Sequence, residues 1–198
     1  MNERFIEEVA AEVLRRQRQT LSDQTLVLHA LDRHLAAVER TNDIMAYQPE
    51  YTITLQEVPE QPIFSHRQRM SVEDYGSAIG RLYEEAARQH IVPEGPPMTI
   101  YHGEAFDPED MDMEQAFPVQ RREDASRVLP GGLMAVTIHQ GSYAHLADAY
   151  GAMTRWLAEQ RLEPDGAPFE IYRQGPGHGD PQVWRTEIYF PVRRKDTL

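Results

Sequence analysis

Apolar and polar residues alternate over short stretches in the second half of the chain, which is typical of β-strands with one buried face. This alternation predicts strands over Leu133–His139, Phe169–Arg173 and Val183–Val192. A helical spacing of apolar residues after the first of these strands predicts a helix over Tyr143–Glu159. Pro and Gly residues at 163–168 then predict a turn. The pattern therefore predicts a strand–helix–strand–strand unit.

The first half of the chain carries the same order of elements. Strands are predicted over Ile63–Arg67, Met98–His102 and Met111–Val119, with a helix over Val72–Arg88. A further strand is predicted over Tyr51–Val58, where β-branched and aromatic residues alternate with polar ones. Each half therefore contains the same four elements.

The two halves correspond because the sequence itself repeats. A shift of 71 positions aligns residues 68–101 with 139–172 without a gap. In that alignment VPEGPPMTIY (92–101) lies over EPDGAPFEIY (163–172), and their Pro, Gly, Pro, Ile and Tyr residues match in order. An ordered series of this kind indicates an internal duplication.

The match continues beyond two extra residues in the second repeat. A shift of 73 places TEIYFPV (186–192) over MEQAFPV (113–119), so that Glu187 corresponds to Glu114. Each copy thus carries a glutamate inside a run of residues that favour strands. Whether these carboxylates can form a site depends on which side of their strands they occupy.

The repeats, about 51–120 and about 131–194, are interpreted as tandem βαββ units. We expect them to form one pseudo-two-fold α+β domain over 51–194, with helices on one face of the sheets. A unit of roughly 70 residues would have a marginal core alone, which favours packing of the two units as one body.

Residues 1–47 are predicted to form a helical segment before this domain, because residues 2–46 contain no Gly or Pro and are rich in Ala, Leu, Glu and Arg. Apolar residues with heptad-type spacing follow one another here: Leu21, Leu28, Leu31, Leu35, Val38 and Met45. They fit either a coiled-coil seam through 21–45 that forms a homodimer, or an amphipathic helix that lies on its own subunit. The sequence leaves both open.

The overall charge narrows the class of partner. The formal net charge of −12 argues against nucleic acid as a partner, because polyanions are held by clustered Lys and Arg. The basic clusters at Arg15–Arg18 and Arg193–Lys195 are short. No apolar run is long enough for a membrane span, and the first residues lack the order of a signal peptide. With no cysteine in the chain, a cytoplasmic location is expected.

Strand parity assigns a face to each glutamate. In the last strand, Ile188 and Phe190 share a face with Trp184 and Val192, which we assign to the helix-covered core. Glu187, Tyr189, Val183 and Arg185 then take the opposite face. A solvent-facing Glu187, paired with Arg185 at the surface, is the simpler alternative.

The same parity extends to the neighbouring strands. Assigning Phe169 and Ile171 to the core puts Glu170 and Tyr172 on the face of Glu187. In the first repeat the residues assigned to the core are Met98, Ile100, Met113, Phe117 and Val119. Tyr101 and Glu114 then lie opposite. The sequence therefore predicts a groove with two glutamates and two tyrosines, which suits a cationic or amphipathic organic ligand.

These residues resemble a known family, the GyrI-like small-molecule-binding domain. It is also the effector-binding domain of AraC-type and MerR-type bacterial regulators and is related to the SOUL fold. The resemblance covers about 51–194 and starts at YTITLQEVPEQP. It includes the His-x-Gly-x-Tyr turn at 139–143 and the helix that bears Trp156. FEIYRQGPGHGDPQVWRTEIYFPV is its most specific part.

The resemblance implies a ligand site. Glu187 looks like the acidic residue at the bottom of the family's pocket, and aromatic residues around it would sandwich the ligand. The aromatic candidates are Tyr172, Trp156 and Tyr189, followed by Tyr143, Tyr101 and Phe117. Glu187 is preferred to Glu114 because Ala116 stands in the first repeat where the second has Tyr189. The first repeat departs from the pattern at Met70 and Val72, where the second has Gly141 and Tyr143.

The resemblance supports three hypotheses about function. The first is a binding module for hydrophobic and in particular cationic small molecules, as a stand-alone protein or as the sensor domain of a regulator. The second is a hydrolase of strained cyclopropane-type electrophiles, in which Glu187 and Tyr172 would be the catalytic residues. The third is a protein-interaction module that binds a partner such as DNA gyrase, with the acidic loop 104–114 as the contact.

Cofactors and nucleic acid are not expected. The histidines show no metal-ligand spacing and no haem ligand is evident, so neither a metal nor a cofactor is predicted. The first 20 residues cannot hold a helix-turn-helix, and we expect that this chain does not bind DNA by itself. An electrophoretic shift at moderate salt would contradict that expectation.

Overall fold

The computed structural model describes residues 51–103 and 109–195. The predicted helical segment 1–47 and its possible dimer seam through 21–45 lie outside these residues. Residues 51–141 and 149–195 belong to one structural unit, and residues 142–148 to a second. The contacts described below between the sheet and its helices all lie within the first unit.

The described chain contains nine strands. In chain order they are β1 (Thr54–Val58), β2 (Gln61–Met70), β3 (Met98–Tyr101), β4 (Met111–Pro118), β5 (Arg127–Leu129), β6 (Gly132–Gln140), β7 (Leu162–Pro164), β8 (Phe169–Gln174) and β9 (Arg185–Arg194). All seven strands predicted from the sequence are present. The short strands β5 and β7 were not predicted, since β7 lies in the segment taken as a Pro/Gly turn and its three residues show no alternation.

Two helices follow β2 and β6. Helix α1 spans Tyr75–Arg88 and α2 spans Leu146–Glu159. Each is preceded by a 3-10 turn, Val72–Asp74 or Tyr143–His145, whose serine N-cap accepts a backbone N–H. The predicted helical spans are therefore confirmed, with a tighter first turn. Each helix has 14 residues, and within the described parts of the chain no helix is long and apolar enough to cross a membrane.

The strands form one curled antiparallel sheet rather than separate sheets. Its strand order is β1-β6-β9-β8-β3-β4-β2-β5, with β7 paired to β9. Strands β1 and β2 lie towards opposite ends of this order, yet only Pro59 and Glu60 separate them in the chain. The sheet must therefore curl into a half-barrel. Where its ends approach, a β-carbon on Gly131 would lie 2.5 Å from Glu60 N and from Val58 O, so only glycine fits.

Both sides of the sheet are buried. The inner side of the curl holds a cluster drawn from both ends of the strand order: Ile63, Met98, Ile100, Ala116, Leu129, Met134, Val136 and Phe169. The helix-facing side packs against α1 through Leu82 and Ala86, which contact Phe117, and against α2 through Met153 and Leu157. A central strand of this sheet therefore has no solvent-facing side, and its polar residues are buried as well.

The two repeats make corresponding backbone contacts. The Tyr101 N–H donates to Pro168 O at 2.9 Å, and the Tyr172 N–H donates to Pro97 O at 3.0 Å. Each bond joins a Tyr of one repeat to a Pro of the other, and the sequence alignment matches both the two Tyr residues and the two Pro residues. They are consistent with a pseudo-two-fold arrangement, while the duplication itself stays an inference from the sequence.

Candidate functional site

The structure corrects the parity prediction for the central strands. In β8, Phe169 pairs with Tyr189 and Ile171 with Glu187, so these four side chains share the inner side of the sheet. Phe169 and Ile171 are core residues as predicted, but their core is the inside of the curl rather than the helix-covered face. Glu170 therefore faces the helices.

The same correction applies to the other residues that were assigned to a side of the sheet by alternation with these core residues. Tyr101, Tyr172 and Glu170 occupy the helix-facing side, whereas Met98 and Ile100 fill the inner side. The predicted grouping of Tyr172 with Glu187 and of Tyr101 with Glu114 is thus wrong. The assignments of Glu187, Tyr189 and Glu114 to the side away from the helices are confirmed, as is that of Phe117 to the helix-facing core.

A buried carboxylate lies at the centre of the helix-facing side. Glu170 is 2% exposed. Its Oε2 accepts hydrogen bonds from Tyr172 Oη at 2.6 Å and Tyr101 Oη at 3.1 Å, and its Oε1 accepts one from Tyr150 Oη at 2.7 Å. Tyr101 and Tyr172 lie on β3 and β8, and Tyr150 on α2. We call these four residues the tyrosine–glutamate cluster.

The charge of Glu170 has no cationic partner among the described residues. Burial raises the pKa of the Glu170 carboxyl, and the three tyrosine hydroxyls oppose that rise by hydrogen bonding to the charged form. Burial, and then the nearby charge of Glu170, raise the pKa values of Tyr101, Tyr150 and Tyr172 well above the usual range. The tyrosines are therefore neutral donors, and the site holds an ionisable group without a counter-charge.

Two further aromatic rings, Tyr75 and Phe190, contact members of this cluster. The ring of Tyr75, at the start of α1, meets Tyr172 edge-on with centroids 5.5 Å apart. Tyr150 on α2 makes a similar contact with Phe190 at 5.6 Å. A carboxylate surrounded by tyrosine rings combines the two features that attract an organic cation, namely a negative charge and electron-rich aromatic faces.

Glu187, the carboxylate favoured from the sequence, has a different setting on the inner side. Its Oε2 lies 2.9 Å from Arg173 Nη2 and accepts the Tyr189 hydroxyl at 3.0 Å. Arg185 Nη2 lies 3.9 Å from Glu187 Oε1, so the surface pairing that the sequence offers as the simpler alternative is present as a longer contact. The Tyr189 ring stacks on Phe169 at 4.7 Å, and burial together with Glu187 raises the pKa of Tyr189 to about 12. Arg173 thus already supplies the positive charge that a ligand would have to bring.

Glu114 also lies on the inner side and is held by a buried ion pair. Arg127 donates to both of its oxygens at 2.8 and 2.7 Å, and His102 Nε2 lies 2.7 Å from Oε2. Burial alone would raise the pKa of Glu114, but hydrogen bonds from Arg127, Ser65 and His102 lower it to about 2. Glu114 lines a cavity of about 590 Å³ whose apolar walls include Ile100.

The remaining predicted site residues take part in core packing or in a turn. Phe117 is fully buried and packs between Phe64 and Tyr83. Trp156 on α2 packs against the cluster that contains Leu157 and Val192. Tyr143 is half-buried and begins the 3-10 turn Tyr143–His145. The structure does not bring Phe117 or Trp156 to Glu187, and their role as ligand contacts stays a prediction.

Two members of the tyrosine–glutamate cluster were missed as site residues in the sequence. Strand alternation indicates Glu170 only as a neighbour of Tyr172, and nothing in the pattern distinguishes Tyr150 from other helix residues. A usable signal was present, because Glu170 lies between Phe169 and Ile171 in a strand next to a Gly/Pro turn. A charged residue in the middle of an apolar strand faces solvent, is paired inside the fold or lies in a site, and the curl of the sheet removes the first option.

The comparisons with known proteins agree with this fold. The model of the GyrI-like small molecule binding domain matches residues 51–193. The crystal structure of the EcmrR C-terminal domain has 25% sequence identity and a TM-score of 0.68, covering 73% of this chain and 99% of that chain. The cryo-EM structure of an EcmrR–DNA complex has 22% identity and a TM-score of 0.68, covering 98% of this chain and 73% of that one.

A more distant structure shares the fold. The crystal structure of a hydrolase from Listeria innocua has 13% identity and a TM-score of 0.56, covering 74% of this chain and 94% of that chain. None of the curated proteins compared with the chain matches it. Because the family model spans nearly the whole sheet and both helices, the chain belongs to the family of GyrI-like small-molecule-binding domains.

Proposed function

We propose that this domain binds amphipathic organic cations at the tyrosine–glutamate cluster, with Glu170 as the carboxylate that pairs with the positive charge. A single observation carries the proposal: Glu170 is 2% exposed and hydrogen-bonded to three tyrosines, yet it has no cationic partner among the described residues. Family membership supports ligand binding in general. The carboxylate and its aromatic surroundings supply the specificity for cations.

The chemistry of the cluster fits a lipophilic cation. An unpaired buried carboxylate is costly in the free protein, and a bound cation removes that cost while its apolar groups contact the tyrosine rings. The hydroxyls of Tyr101, Tyr150 and Tyr172 can keep their bonds to Glu170, or turn towards the ligand as donors. A neutral ligand of the same shape gains only the apolar contact.

Ligand binding in this family also suggests a sensing role. This chain resembles the EcmrR C-terminal domain at 25% identity and, over 98% of its length, a part of the EcmrR chain in a DNA complex. We propose that the domain reports ligand occupancy to whatever polypeptide carries the DNA-binding part. Consistent with that division of labour, the whole chain is acidic, with a formal net charge of −12.

Isothermal titration calorimetry with tetraphenylphosphonium tests the proposal, because this cation is lipophilic and has no hydrogen-bond donor. We expect Glu170→Gln to weaken binding by about thirtyfold or more, since removing one partner of a buried charge pair costs about 2 kcal/mol or more. Glu187→Gln is the matched control and should change the affinity less than threefold. The reverse order of effects would refute the proposal.

Hydrolysis of strained electrophiles is a second candidate that uses the same group. A carboxyl whose pKa is raised by burial is typical of general acids, and Glu170 has that property whereas Glu187 is already paired with Arg173. If the domain is a hydrolase, turnover of an activated cyclopropane should disappear in Glu170→Gln and persist in Glu187→Gln.

Interaction with a protein through the acidic loop 104–114 stays a hypothesis for a pull-down, as residues 104–108 lie outside the described structure.

A further inference from the structure

Two polar side chains beside Glu170 are buried without a hydrogen bond. Thr99 is 0% exposed and its Oγ1 has no partner, while Gln115 is 1% exposed and neither its Oε1 nor its Nε2 has one. Buried polar groups in folded proteins are nearly always hydrogen-bonded, so each exception requires an explanation. The three unpartnered atoms lie on the adjacent strands β3 and β4.

These side chains form a row with Glu170. Thr99 pairs with Glu170 across β3 and β8, and Gln115 pairs with Thr99 across β4 and β3. Cross-strand partners lie on the same side of a sheet, so all three face the helices. With strands about 4.8 Å apart, the backbones of Glu170 and Gln115 lie about 10 Å from each other. We call these three residues the polar row.

Helix α1 covers the far end of the polar row. Gln115 stands between Met113 and Phe117 on its strand. Met113 belongs to the cluster that contains Ala78, and Phe117 packs with Leu82, so Gln115 lies beneath the part of α1 that carries Ala78 and Leu82. A ligand that extends from Glu170 along the row would therefore contact the underside of α1.

We propose that the polar row is one extended subsite, which selects cations that carry a hydrogen-bonding group at a distance from the positive charge. The proposal rests on Glu170 as the cation site. A ligand carboxamide is the group that complements Gln115, because it offers an acceptor to the Gln115 amide protons and a donor to Gln115 Oε1. Thr99 adds a hydroxyl that serves as donor or acceptor midway along the ligand.

A matched pair of ligands separates this subsite from the cation site. One ligand joins a trimethylammonium ion through four methylene groups to a primary carboxamide. The other has an isopropyl group of similar shape in place of the carboxamide. Calorimetry on the wild-type chain should show tighter binding of the carboxamide, and the affinity ratio should fall about tenfold in Gln115→Met and about threefold in Thr99→Val, each nearly isosteric. Glu170→Gln should weaken both ligands while leaving their ratio unchanged.

The outcomes distinguish the two proposals. If both ligands bind through Glu170 but their ratio is the same in wild type and Gln115→Met, the extended subsite is wrong and the cation site stands. If neither ligand binds, both proposals are wrong. Thermal denaturation of the free protein is a second measurement. Gln115→Met should raise the melting temperature, because it removes unpartnered polar atoms, whereas a decrease would show that a buried water satisfies Gln115 and would overturn the subsite.

Discussion

Glu170 and Glu114 are the same residue type, both are less than 5% exposed, and they lie on opposite sides of one sheet. They differ in their partners. Arg127 and His102 contact Glu114, whereas the hydrogen bonds to Glu170 within the described part of the chain come only from tyrosine hydroxyls. As a result the pKa of Glu114 falls to about 2 and that of Glu170 rises.

The two glutamates show two different ways in which this fold accommodates a buried carboxylate. At Glu114 the protein supplies its own counter-charge, so the carboxylate is part of the fold. At Glu170 the described residues supply neutral donors that orient the carboxylate without neutralising it, and we propose that the counter-charge comes from a ligand. Glu187 lies between these cases, since Arg173 pairs with it in a less buried setting.

The largest effect on stability should come from removing the partner of Glu114. We expect Arg127→Met to destabilise the fold by about 3 kcal/mol, because it leaves a buried carboxylate without a cation. This value is at the lower end for a buried pair, since the side chain of Arg127 is 35% exposed. Urea denaturation measures it. Arg185→Met is the matched control, as Arg185 is half-exposed and 3.9 Å from Glu187, and it should cost less than about 0.5 kcal/mol.

Removing the charge of Glu170 should have the opposite sign. We expect Glu170→Gln to stabilise the free protein at neutral pH by on the order of 1 kcal/mol, because an amide is cheaper to bury than an unpaired carboxylate. The same change should weaken cation binding, which links stability to function. A loss of stability in Glu170→Gln, measured by the same urea titration, would mean that the carboxylate has a counter-charge in the free protein.

The pH dependence of stability should separate the two glutamates further. The folded pKa of Glu114, about 2, lies below the ordinary value of 4.5, so its stabilising contribution is complete above pH 4.5 and is lost as the pH falls towards 2. The folded pKa of Glu170 is raised, so its contribution is complete below the ordinary value and is lost as the pH rises through the folded pKa.

Urea denaturation over a pH series measures both contributions. Arg127→Met should flatten the acid side of the profile, and Glu170→Gln should flatten the decline towards neutral pH. Two variants with the same profile as the wild type would show that neither carboxylate titrates differently in the folded and unfolded states.

The smallest effect is expected from a single hydroxyl of the tyrosine–glutamate cluster. Tyr150→Phe removes the only donor to Glu170 Oε1 among the described residues, so tetraphenylphosphonium should bind three- to tenfold more weakly, the change expected for one hydrogen bond. Tyr83→Phe is the control, because Tyr83 stacks on Phe117 away from the cluster. Equal losses in the two variants would mean that general packing, rather than the hydroxyl, controls affinity.

The sequence predicted the elements of this fold well and the site less well. Alternation and turn residues locate every long strand, and the helical spacing locates both helices. The repeat directed attention to Glu187 and Glu114, which share the inner side as expected. The repeat could not reveal that Arg173 and Arg127 neutralise them, because those partners come from other strands.

The error in parity has a physical cause. Phe169 and Ile171 were assigned to the helix-covered face because a sheet with helices on one side normally buries only that side. Here the sheet curls, so apolar residues are buried on its inner side as well, and alternation alone cannot tell which buried side a strand residue faces. Curling depends on the junction of β1 and β2 at Pro59 and Glu60, a tertiary feature that no local pattern encodes.

The most direct test is the titration of the Glu170 carboxyl by nuclear magnetic resonance, with ¹³C-labelled glutamate and assignment by Glu170→Gln. In the free protein the pKa of Glu170 should lie above the ordinary value, and saturating tetraphenylphosphonium should lower it, because a bound cation stabilises the charged form. Glu114 should be unaffected by the ligand. The assignment of the site would be contradicted if the bound cation left the pKa of Glu170 unchanged and instead shifted the carboxyl resonance of Glu187.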